Sequence, residues 1–76
     1  MRYAIRLGAS LMPSTYDDAE EARRDANGML LSRSAEKRAE VVPLVPGAVG
    51  GIGPAILVGK RSTRGGPIKW TEQATK

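Results

Sequence analysis

Arg2-Tyr3-Ala4-Ile5-Arg6-Leu7, Thr15-Tyr16-Asp17-Asp18-Ala19-Glu20-Glu21-Ala22 and Glu40-Val41-Val42-Pro43-Leu44-Val45 are the stretches that decide the fold. In the first, Tyr3, Ile5 and Leu7 alternate with Arg2, Ala4 and Arg6, the period of a half-buried strand. Gly8 ends that run. In the second, Pro13-Ser14-Thr15 leads into a helix from about Tyr16. Thr15 and Asp18 have capping-box spacing, and Asp17, Asp18, Glu20 and Glu21 load the first turns with negative charge. Ala19, Ala22, Ala26 and Met29 or Leu30 then recur every three or four residues as one apolar stripe, small enough to lie close against a sheet. The third stretch reads as an extended run, and Pro43, which has no backbone donor, assigns it to a sheet edge. Residues 2–45 thus read as a βαβ-like unit.

The helix has two candidate ends. Asn27-Gly28 is a good C-terminal cap and is the preferred stop. Met29-Leu30-Leu31-Ser32 would then be free to form a short strand. Alternatively Gly28 is tolerated, at about 1 kcal/mol relative to Ala, and the helix runs to about Ser32. Residues 46–54, rich in Gly and Pro, read as a connector. Ala55-Ile56-Leu57-Val58 reads as a further strand and Gly59 to Pro67 as a basic loop. Ile68-Lys69-Trp70 is a short strand or a segment packed on the core, and residues 71–76 are a frayed tail. The expectation is one α+β domain over 1–76, with one principal helix packed on a three- to four-stranded sheet.

Composition narrows the function. The chain has 76 residues, no Cys and no His. Disulfides, thiol chemistry, the commonest metal ligand and the commonest general base are all missing. A chain this short buries only about 60% of its unfolded surface, so a partner subunit is the expected supplement. No stretch approaches the ~20 apolar residues of a membrane span, and Arg2 and Arg6 interrupt what would be a signal region. A cytoplasmic protein is expected. Net charge is +2 over residues 1–15, −2 over 16–40 and +4 over 41–76.

Apparent motifs dissolve on inspection. Gly53 to Lys60 has five residues between its glycines, where a phosphate loop has four, and Arg61 follows where Ser or Thr is required. Asp17, Glu21 and Asp25 share a helix face, but a solvated face with Glu20–Arg24 and Glu21–Arg24 pairs explains them without a metal. The hydroxyls have no His to activate them and no Ser-x-x-Lys spacing. No enzyme and no cofactor is expected.

Two binding classes survive. The first is a non-enzymatic binding protein that occupies a protein partner, or a second copy of itself, through a sheet edge and the segment holding Lys60, Arg61, Arg64, Lys69 and Trp70. Leu11, Met12, Met29, Leu30 and Leu31 supply apolar side chains beyond what a thin core needs. The alternative is a nucleic-acid-binding protein that uses the basic Lys60–Lys69 loop to hold phosphates, with Trp70 to stack a base.

Tyr3-x-Ile5, Thr15-Tyr16-Asp17-Asp18-Ala19-Glu20-Glu21-Ala22 and Arg38-Ala39-Glu40-Val41-Val42-Pro43-Leu44 together resemble a strand–helix–strand unit of small uncharacterised actinobacterial and actinophage proteins. The resemblance covers about residues 2–45 and carries no catalytic residue. It implies a small phage or bacterial accessory protein that modulates a macromolecular partner.

Overall fold

Tyr3–Leu7 forms strand β1, and the chain reverses at once through Gly8-Ala9. The computed structural model describes residues 2–32, 36–47, 49–61 and 66–72. Gly8 has φ 61° and, among the described residues, no non-glycine residue has positive φ, which is the signature of a type II′ hairpin turn at Gly8-Ala9. The returning strand is β2, Ser10–Tyr16, antiparallel to β1. Sequence reasoning treats these residues as the approach to a helix. The strand is masked because its alternation breaks. Ala4 pairs with Thr15 and Arg6 with Leu11, so Met12, Pro13 and Ser14 bulge opposite Ile5 alone. A bulge tolerates the missing donor of Pro13.

The helix α1, Ala19–Ser32, begins later than Tyr16 because Tyr16 and Thr15 belong to β2. Its N-cap is Asp18, whose carboxylate accepts from the Glu20 amide (3.2 Å) and whose carbonyl accepts from the Ala22 amide (3.1 Å). Thr15 instead accepts a hydrogen bond from the Arg2 guanidinium. The apolar stripe is Ala22, Ala26 and Leu30, all fully buried. The helix does not stop at Asn27-Gly28. Gly28 is exposed and helical, and continuation carries Leu30 into the core. Burial of one Leu is worth about 1.5–3 kcal/mol, more than the helical cost of one Gly.

Beyond α1 come β3 (Arg38–Pro43), a 3-10 turn (Val49–Gly51), β4 (Leu57–Lys60) and β5 (Lys69–Glu72). The sheet is antiparallel throughout, with order β2-β1-β3-β4-β5, so it has five strands rather than three or four. The extra strands are β2 and the full β5, which takes in Thr71 and Glu72 from the expected tail. Since β2 turns the chain round before the helix, β1 and β3 meet antiparallel, and no parallel crossover forms.

Pro43 does not mark an edge, because β3 lies between β1 and β4. Val41 and Pro43 both direct their carbonyls toward the β4 side, accepting from Ile56 and Gly53. The missing donor of Pro43 therefore also faces that side, beyond Val41↔Leu57, where the regular β3–β4 ladder ends. No ladder bond is lost.

One face of the sheet packs under α1. Ile5, Leu7, Tyr16, Ala39 and Val41 join the helix stripe in the core, flanked by Tyr3, Met12, Met29, Leu57, Ile68 and Trp70. The helix lies over β1, β3 and part of β2. Trp70 extends the cover across β4. Its ring lies on Gly59, and its Nε1 donates to Asn27 Oδ1 on α1 (3.1 Å).

Two substitutions test this packing. Gly28→Ala meets open space and is expected to stabilise the protein by ~1 kcal/mol, raising Tm by roughly 4–8 °C in a thermal melt. Gly59→Ala is expected to do the opposite. Its Cβ would stand 2.7 Å from Trp70 Cε2 and Cζ2, and the overpacking should cost about 1–3 kcal/mol in a urea titration followed by Trp70 fluorescence.

Candidate functional site

Among the described residues, no second helix covers the sheet face turned away from α1. Strand alternation and register send Arg2, Ala4 and Arg6 to it from β1, and Arg38, Glu40 and Val42 from β3. Val58 and Lys60 reach it from β4, and Lys69 and Thr71 from β5. The register sets these side chains in rows across the strands. One row is Arg38–Lys60–Lys69. The next is Arg6–Glu40–Val58–Thr71. Ala4, Val42 and Val58 form a recessed apolar floor, each less than 5% exposed.

Glu40 is the electrostatic hinge of this face. Its carboxylate accepts from Arg6 Nε on one oxygen (2.6 Å) and from Arg38 on the other (3.0 Å). The hydrogen bond from Arg6, with that from Arg38, holds the Glu40 carboxyl below the usual carboxylate range, against the desolvation that would raise it. Arg2 pairs loosely with the highly exposed Asp17 (3.4 Å). Lys60 and Lys69 face each other across β4 and β5 and make no ion pair among the described residues. Like charges directly opposite destabilise a sheet. Among the described residues five cations therefore share the face with Glu40, with Asp17 at its margin beside Arg2, and the row Arg38–Lys60–Lys69 contains no carboxylate. Beside it, Lys60, Arg61, Pro67, Lys69 and Thr71 line a cleft of about 520 Å³.

The residues singled out from the sequence divide. Lys60 and Lys69 stand exposed on this face. Arg61 does not: it is 5% exposed, and its guanidinium donates to the Glu36 carbonyl (2.9 and 2.7 Å) and the Leu30 carbonyl (2.7 Å). The Leu30 carbonyl lies in the last turn of α1, where carbonyls lack intrahelical partners. Arg61, the residue that follows β4, ties that helix end to the end of the strand, and its side chain is buried. Trp70 is on the helix side of the sheet, bound to Asn27. Arg64 lies outside the described residues.

Sequence reasoning missed Arg2, Arg6 and Arg38 as members of the set. Alternation in β1 already turned Arg2 and Arg6 away from the core. Nothing in the sequence showed that Arg38 and Lys60 would be in register with each other.

The helix side offers less chemistry. Glu20 pairs with Arg23, and the other acidic groups of α1 are exposed. No three acidic side chains converge on one point among the described residues. Burial, then Asp25, raises the Tyr16 hydroxyl above its usual value, so it is a neutral phenol at pH 7. No helix among the described residues is long and apolar enough to cross a membrane.

Comparison with protein-family models, with curated proteins and with solved structures returns no match to this chain. The functional reading rests on the geometry.

The Glu40 arrangement makes a prediction about acid. A depressed folded-state pKa contributes stability that is present above the unfolded value, ~4.3, and is lost as pH falls through the folded value. Glu40→Gln is expected to cost roughly 1–3 kcal/mol at pH 7. The gap to the unsubstituted protein should close as pH falls below ~4, in urea melts repeated across pH.

Proposed function

We propose that this chain is a non-enzymatic module that binds nucleic acid, holding phosphates on the helix-free face of its sheet. The carrying observation is the in-register row Arg38–Lys60–Lys69, cations set side by side with no acidic partner in the row. Such a row costs stability in the free protein, and anionic oxygens between the side chains would relieve that cost. Arg2 and Arg6 extend the positive field across β1. A single-sign field over a surface also raises association rates with a polyanion.

Geometry favours this over capture of a protein through a sheet edge. Pro43 is in an interior strand. The true edges are β2, bulged at Pro13, and β5, four residues long and opened by Lys69, both features that discourage strand addition. The apolar surplus is largely absorbed. Leu30 is fully buried, Met12 and Met29 pack on the core, and Leu11 and Leu31 remain as separate exposed side chains. A second copy would bring the same positive face, which argues against self-association there. Nucleic acid as partner goes with a role inside the cell.

Fluorescence anisotropy with labelled nucleic acid tests the reading. Binding should appear at low salt and weaken steeply as salt rises, to a Kd of about 10⁻⁴–10⁻⁶ M at physiological salt. The double variant Lys60→Glu/Lys69→Glu should lose at least ~10-fold in affinity, since it reverses two phosphate contacts. No binding at low salt, or a double variant that binds as well, overturns the proposal.

A further inference from the structure

Resting on that reading, we infer that the open sheet face takes a double-stranded nucleic acid by its two backbones, without reading sequence, and does not take a single strand.

The first reason is where the aromatics are. Single-strand binders stack bases on exposed rings, each worth about 1–3 kcal/mol. This chain has three aromatic residues, and none presents its ring on the basic face. Tyr3 and Tyr16 pair across β1 and β2 on the helix side, with Tyr16 in the core. Trp70 covers Gly59 and bonds to Asn27 on that same side. The basic face has the recessed floor of Ala4, Val42 and Val58 where a stacking platform would need to be.

The second reason is the spread of charge. From β1 to β5 the face crosses three strand spacings, roughly 14 Å, and from Arg2 to Arg6 it runs roughly 13 Å along β1. A single backbone is a thread that would follow one row and leave the other cations unused. A duplex presents phosphates on both rims of a groove, and the major groove of B-DNA is about 12 Å wide. Arg2 and Lys69, at opposite corners of the face, can then each meet a phosphate. Arg6 and Arg38 are held by Glu40, so their donors are fixed in place rather than free to search base edges. Contacts to backbone alone carry no sequence information.

The third reason is the other side of the molecule. Asp18, Glu20, Glu21 and Asp25 border or lie on α1 and are exposed, whereas Asp17 reaches Arg2 at the margin of the sheet face. They repel phosphate, which removes the helix as a groove-inserting element and leaves the sheet face as the docking side.

The experiment titrates the full-length protein into a labelled DNA duplex of about 20 base pairs, and separately into each of its strands, at low salt. The duplex should bind at least ~10-fold tighter than either strand, a shuffled duplex should bind equally, and Trp70 emission should stay unchanged on binding. Arg2→Gln and Lys69→Gln should each reduce the slope of log affinity against log salt by about 0.9 on the duplex. Equal or tighter binding to single strands, quenching of Trp70, sequence preference, or a slope unaffected by Arg2→Gln overturns the inference while leaving the broader reading standing. No binding to duplex or strands overturns both.

Discussion

Ala22, Ala26 and Leu30 rest on Ile5, Leu7 and Val41, and among the described residues this one helical stripe covers a five-stranded sheet. The helix has 14 residues, a length of roughly 21 Å. It lies over β1, β3 and part of β2 and leaves β4 and β5 to side chains. Trp70, seated on Gly59 and tethered to Asn27, completes that layer. The opposite face receives no helix among the described residues. Among the described residues α1 is the one α-helix.

That shortage determines the character of the open face. Ala4, Val42 and Val58 are buried there, neighboured in the ladder by Arg6, Arg38 and Glu40. Long charged side chains lay apolar stems over a surface and keep their heads in water, so they can cover a floor that no helix covers. Glu40 holds two of the arginines in one arrangement. Arg6 and Arg38, which neighbour that floor, also contribute positive charge to the face. Among the described residues Lys60 and Lys69 stand directly opposite each other, and like charges so placed destabilise a sheet.

Joints between elements show the same economy. One guanidinium, that of Arg61, accepts the role of capping the end of α1 while its backbone amide bonds to the Lys37 carbonyl. Helix end, incoming β3 and outgoing β4 are thereby fastened at one point. A buried arginine is stable there because its donors meet backbone carbonyls that would otherwise lack partners.

Much of this was legible before folding was considered. Alternation in Tyr3-Ala4-Ile5-Arg6-Leu7, the acidic start of the helix and its alanine stripe are local patterns, and each depends only on a residue and its near neighbours. Local patterns failed where a distant partner decided the outcome. Met12-Pro13-Ser14 conceals a strand because the bulge that accommodates Pro13 exists only opposite Ile5. Gly28 is passed over because Leu30 has a core to enter. Pro43 is harmless inside the sheet because the β3–β4 ladder ends before it reaches that position. The candidate site follows the same division. The sequence by itself determined how many cations the chain carries and that Arg2 and Arg6 turn away from the core. Only the tertiary structure decided that Arg61 and Trp70 serve the fold, and that Arg38, Lys60 and Lys69 stand side by side. Register between strands far apart in sequence is a property of pairing, and pairing is decided by the burial of the whole sheet.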